Sequence, residues 1–124
     1  MQLTDRRAGN ARVLAAAGRI DHASAEGFKV ALQPYLDQCK AGGDVVVIDL
    51  SAVDYISSVG LRVLMLAAKQ AKSQGGAIAV AALQPVVKEI FEISKFNLVI
   101  PSFGSVRDAL TELAPAALAA YGAG

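Results

Sequence analysis

Apolar positions along the chain change period several times, and the changes mark the elements. Residues 2–8 (QLTDRRA) alternate weakly between apolar and polar, and residues 11–20 (ARVLAAAGRI) do so with more apolar weight. Gly9-Asn10 between them is a two-residue turn signal, so the two segments are predicted to pair as an antiparallel hairpin. Residues 21–43 then shift to helical spacing, with Phe28, Leu32, Tyr35, Leu36 and Cys39 on one face. Asp21 is the expected N-cap and Gly42 the expected stop, with a kink at Pro34. Residues 44–50 (DVVVIDL) form an unbroken, mostly β-branched run that suits a buried parallel strand.

A second helical pattern covers 58–76 and stops at Gly75-Gly76, before the apolar strand 77–83. Pro85 fits the first turn of a helix over 84–94, where its missing N–H costs nothing. Residues 97–103 (NLVIPSF) are predicted as a short strand. The helix 105–113 opens with Ser105 and Asp108 in a capping spacing. The tail 114–124 (APAALAAYGAG) carries no charge and is expected either as a frayed helical extension or as flexible chain. Strands alternating with helices after the hairpin imply right-handed parallel crossovers in a mixed sheet of five strands packed by about four helices. The expected organisation is one α/β domain over 1–113 followed by the Ala-rich tail.

Composition narrows the function more than the fold. The chain has 124 residues, 54% hydrophobic, and a net charge of +1. That balance does not suit nucleic acid or an anionic membrane surface as the main partner. Charged residues interrupt every apolar stretch well short of the roughly 18 residues of a membrane span. With one cysteine and one histidine, Cys39 and His22, far apart in sequence, neither a disulfide nor a zinc site is expected. The N-terminus has no apolar signal core, and the expected location is the cytoplasm. No phosphate-cradling glycine loop is present, so no cofactor is expected.

Chemistry concentrates in residues 54–61 (DYISSVGL). Spacing alone leaves a Ser58–His22–Asp triad open. A nucleophile elbow would need Gly at position 56, which is Ile, and no catalytic residues are assigned. Ser57 and Ser58 sit where a helix starts, a place that suits a cap or a phosphate. Gly60 either leaves the backbone open beside the hydroxyl or allows close helix packing. On the following helix, Leu61, Leu64, Ala68 and Ala71 form the face expected to meet the sheet. Arg62, Met65, Lys69 and Lys72 form another. Met65 is expected to be exposed there, among basic residues, as a partner contact.

Residues 45–83 resemble the STAS domain family, named for sulfate transporters and anti-sigma-factor antagonists. The resemblance rests on Asp49-Leu50-Ser51, on Ile56-Ser57-Ser58-Val59-Gly60-Leu61, and on the Gly-rich turn before the next strand. Gly18-Arg19-Ile20-Asp21 and the 84–94 helix match as well, so the similarity spans about residues 10–112. It implies an anti-sigma-factor antagonist that is not an enzyme. Its phosphoacceptor is the serine two places before the motif glycine, Ser58, with Ser57 as second choice. The family often has Asp where Ser57 stands. Asp21 would lie near the acceptor, as N-cap or as positioner of the hydroxyl or of a kinase-bound metal ion. Asp21, Ser57, Val59, Gly60, Arg62, Met65 and Lys69 would form the partner surface. The implied partners are an anti-sigma factor with a histidine-kinase-like ATP-binding fold, acting as serine kinase, and a metal-dependent serine phosphatase. The alternative is a STAS subunit that docks an ABC-type ATPase in a lipid-transport complex without phosphorylation.

Overall fold

The computed structural model describes residues 1–123. Strands β1 (Gln2–Ala8) and β2 (Ala11–Ile20) form the expected antiparallel hairpin, with Gly9 at φ +57° making the turn. Helix α1 (Ala25–Leu36), strand β3 (Val45–Ile56), helix α2 (Ser58–Ser73), strand β4 (Ile78–Ala81), helix α3 (Pro85–Ile93), strand β5 (Ser102–Phe103) and helix α4 (Val106–Leu113) follow. A further short helix α5 (Leu118–Ala123) comes last. The five strands lie in the order β1-β2-β3-β4-β5, parallel from β2 onward.

Each face of this sheet is covered. Phe28 and Leu32 of α1, Leu64 of α2 and Phe91 of α3 share one core with Leu14, Ile48 and Val80 of the sheet. Val13, Val47 and Ala81 point the other way and meet Val106, Ala109 and Leu110 of α4. Two-sided burial explains why Val46, Val47 and Ile48 are all fully buried in sequence.

Three elements depart most from the expected limits. Helix α1 starts after Ser24 and ends at Leu36, six residues before Gly42. Pro34 lies inside its last turn, so the ring removes one bond just where the helix runs out. Cys39 is still buried beyond that end, its thiol donating to the Ala77 carbonyl at 3.2 Å, so its apolar spacing extends the pattern without the helix. The expected strand over 97–103 is instead a 3-10 turn, Phe96–Leu98, followed by the two residues of β5. Lys95 enters the turn in a left-handed conformation at φ +57°, and Pro101 has no N–H to give a ladder.

Strand β3 runs six residues past Leu50 because β2 remains its partner as far as Ile20↔Ile56. The pairing slips twice, opposite Ala15/Ala17 and opposite Gly18/Arg19, each time adding one residue to β3. Leu50, Val53 and Ile56 are therefore all buried in one core at a spacing of three rather than two. At the first slip the Ser51 amide donates to Asp49 Oδ1 at 2.9 Å, giving that amide a local acceptor. The Asp49-Leu50-Ser51 motif thus shapes the strand that delivers the serines.

The tail packs on the α4 face. Ala114 and Ala117 are buried, and Leu118 and Tyr121 pack against the cluster that holds them together with Ala8, Ala11 and Val13. Arg6 lies 4.7 Å from the centre of the Tyr121 ring and donates to its carbonyl at 2.6 Å. Removing residues 115–124 is expected to lower the unfolding free energy by roughly 2–3 kcal/mol, read as a lower urea midpoint with the far-UV spectrum of the core retained.

Candidate functional site at the start of helix α2

The site forms where β2 and β3 end side by side. The Ser57 amide donates to the Ile20 carbonyl at 2.8 Å, tying the end of β3 to the end of β2. Ser57 is extended (φ −84°, ψ 170°), and its Oγ accepts from the Gly60 amide at 3.2 Å. It is the N-cap of α2 and holds one of the amides that a helix start leaves without an acceptor. Ser58 is the first residue inside the helix and is exposed. Its hydroxyl makes no hydrogen bond among the described residues. The two serines divide the roles that the sequence could not separate: Ser57 caps and Ser58 is free.

Gly60 is buried. A methyl group there would sit 2.7 Å from Ile20 Cγ2, 2.9 Å from Ile56 Cγ1 and 3.1 Å from the Ile20 carbonyl oxygen. Of its two readings, close helix packing is therefore the one the geometry supports, since the backbone at residue 60 is covered rather than open.

Asp21 stands on the same edge but does not cap α1 itself. It heads the turn before the helix, where its Oδ1 accepts from the Ser24 amide at 3.0 Å and its own amide donates to Ser24 Oγ at 3.0 Å. Ser24 is the N-cap position, and its carbonyl accepts from Phe28. The Ser24 amide and hydroxyl hold the Asp21 carboxyl below its ordinary range, with Arg19 adding a smaller pull at 3.9 Å. A depressed carboxyl pKa means this local support is present above the unfolded-state value and is lost as pH falls through the folded one. Arg19 also stacks on Tyr55 at 4.4 Å.

Val59 is half-buried, while Arg62 and Lys69 are exposed on α2. Met65 is not the exposed contact expected of it: it is half-buried and packs against the main core. Its place on the border of the apolar face lets a flexible side chain fold inward. The exposed apolar residue is Leu66, 40% accessible, which the sequence reading missed. Val59, Val63 and Leu66 follow a helical spacing of their own, and that second stripe was a legible signal.

This stripe lines a groove of about 330 Å³ between the N-terminal parts of α1 and α2. Its rim carries His22, Glu26 and Lys29 from the α1 side and Arg62 from α2. The far ends of the same helices are closed by amides, with Gln33 and Gln70 sharing Asp37 and Gln74 Nε2 donating to the Leu36 and Cys39 carbonyls at 2.8 Å. The groove lies toward the N-terminal end of the helix pair, away from these amides. His22 makes no hydrogen bond to either serine or to a carboxylate, so the triad has no base in place. Cys39 is buried and its thiol is pushed up by that burial, which suits a packing residue. Among the described residues no group of three His, Cys, Asp or Glu side chains could hold a metal ion, and no helix is long and apolar enough to cross a membrane.

The split between the serines has a direct readout. Ser57→Ala is expected to cost about 1 kcal/mol of stability, and Ser58→Ala to stay within about 0.5 kcal/mol of the parent. Gly60→Ala, forced against Ile20, is expected to cost about 1–3 kcal/mol. Urea unfolding of the three variants checks the order.

A family model described as the STAS domain matches residues 2–109. The Bordetella bronchiseptica protein BtrV, named as a candidate anti-sigma factor antagonist, is 42% identical over 84 residues, 68% of this chain and 70% of its own. An anti-sigma factor antagonist from Mycobacterium paratuberculosis has a similar structure, with TM-score 0.81 at 23% identity over 90% of this chain and 92% of that one. The Bacillus cell fate determinant SpoIIAA in its phosphorylated form is similar with TM-score 0.65 at 12% identity, over 89% and 97% of the two chains. At those identities the two structural likenesses speak for the fold.

Proposed function

From the premise that the chain belongs to the STAS domain family, we propose that it is an anti-sigma-factor antagonist switched by phosphorylation of Ser58. The observation that carries this reading is the free, exposed hydroxyl of Ser58 beside a cap that Ser57 already supplies. A modification of Ser58 would break no hydrogen bond of the fold. The naming of BtrV supports the antagonist assignment. The phosphorylated form of SpoIIAA, a protein of the same fold, supports a phosphate on such a domain.

In this reading the unphosphorylated protein binds an anti-sigma factor with a histidine-kinase-like ATP-binding fold, and the sigma factor is released. The bound partner then acts as serine kinase. Ser58 Oγ attacks the γ-phosphorus of ATP, the bond to ADP breaks, and the hydroxyl proton passes to a base of the kinase. The phosphate brings about −1.5 to −2 charges to the N-terminus of α2, where the helix dipole and the free amides of its first turn favour it. The fold tolerates the change, while a partner closed over Ser58 must desolvate it, so the complex separates. A metal-dependent serine phosphatase resets the switch. Ser57 in place of an acidic neighbour leaves the acceptor hydroxyl unchanged and removes one carboxylate from the kinase's approach. Asp21 lies on the same sheet edge, where it holds the turn that flanks the site.

With kinase and ATP, intact-mass analysis should show one added phosphate, and peptide sequencing should place it on Ser58. Ser58→Ala should abolish it, and Ser57→Ala should retain it. Phosphate confined to Ser57 would contradict the assignment. A stable complex with an ABC-type ATPase and no phosphate on either serine would replace this reading with the lipid-transport one.

A further inference from the structure

We propose that Arg62 serves both states of the switch: in the bare protein it binds a carboxylate of the partner at the groove, and in the modified protein it pairs with the phosphate of Ser58. This inference rests on the reading of Ser58 as the acceptor and adds the chemistry of the surface beside it. The four arginines of the hairpin are already engaged: Arg6 with Tyr121, Arg7 with Asp44, Arg12 with Asp5, and Arg19 with Asp21 and Tyr55. Arg62 is exposed and has neither an ion-pair nor a hydrogen-bond partner among the described residues. Lys29, across the groove, is in the same position.

The charges facing Arg62 from both helices are few. His22, Glu26 and Lys29 come from the α1 side, and no acidic residue of α2 lines the groove. His22 apart, two positive side chains and one negative leave the rim at +1. The wall between them is apolar, with Val59 and Leu66 on the α2 side. The occupant that fits is a segment of the kinase partner that presents an apolar side chain next to a carboxylate. Charge complementarity points to it, as does the groove wall, whose Val59 follows Ser58 directly in the chain.

Phosphorylation reverses that fit. Ser58 and Arg62 are four residues apart on α2, so they share a face with Cβ atoms roughly 5–6 Å apart. An anion one turn N-terminal to a cation is the favoured order on a helix. A guanidinium meets phosphate oxygens through paired N–H donors, which an ammonium cannot reproduce. The phosphate therefore takes the cation the partner used, and its charge of about −1.5 to −2 turns the +1 rim negative. Release then follows from a lost contact as well as from a new repulsion.

The test places phosphoserine at position 58 of the full chain by genetic encoding, so no kinase is needed. Phosphorus NMR titration is read with Arg62 and with Arg62→Gln. Both are repeated in a His22→Asn background, so that the one histidine of the chain is absent from the groove. Arg62 is expected to raise the second ionisation constant of the phosphate at least about threefold, or roughly half a pH unit. Superimposable titrations would overturn the pairing. In the unmodified protein, Arg62→Gln is expected to weaken anti-sigma-factor binding about tenfold and Arg62→Lys to recover part of it. Unchanged affinity, with the urea midpoint also unchanged, would overturn the docking role. A kinase that leaves Ser58 unmodified would count against the acceptor assignment alone, because the encoded phosphate reports on Arg62 regardless.

Discussion

The first turn of α2 can rest on the end of β2 only because residue 60 has no side chain. Ile20 and Ile56, the last residues of two adjacent strands, fill the space a methyl group would need. The same contact brings the Ser57 amide to the Ile20 carbonyl and sets the Ser57 hydroxyl over the Gly60 amide. Helix start, strand ends and cap are thus one unit, seated on a fully buried core. The two irregularities in β3 belong to it as well. They keep Leu50, Val53 and Ile56 on the core side, so the strand arrives at Ser57 in the register the cap requires.

What that unit presents to solvent follows from what it uses up. Ser57 is consumed by the cap, Gly60 by packing, and Asp21 by the turn with Ser24. Ser58, Arg62 and the groove residues Val59 and Leu66 remain, on a helix pair whose opposite end is closed by glutamines. A rigid seat carrying a free hydroxyl, a free cation and an apolar slot suits a surface that is read by a partner. On the function proposed above, a charge added at Ser58 would change the surface without breaking a hydrogen bond of the seat, so binding would change and the fold would stay intact.

Much of the fold was legible because its signals are local. Gly9-Asn10 between two alternating segments sets the hairpin, Pro85 opens α3, and Ser105 caps α4 by accepting from Asp108. The misread limits are those that depend on distant residues. β3 outlasts its apolar run because β2 is long enough to pair with it, and the polar Ser51 and Asp54 hide that continuation. Residues 97–103 have strand composition, yet Lys95 and Pro101 impose a turn and leave two paired residues. At the site, adjacent serines gave no way to tell cap from free hydroxyl, since that depends on which residue the strand end places over Gly60. Met65 and Leu66 exchanged roles for a similar reason: exposure there depends on how α1 packs against α2, which the pattern of α2 alone does not contain.

The most direct test of the account is the affinity of the anti-sigma factor for the bare protein and for the same protein carrying phosphate at Ser58 alone, measured by calorimetry at fixed salt. The account predicts that the phosphate weakens binding by about a hundredfold or more, roughly 3 kcal/mol, with the unfolding midpoint of the free protein unchanged or raised. Equal affinities for the two forms would contradict it.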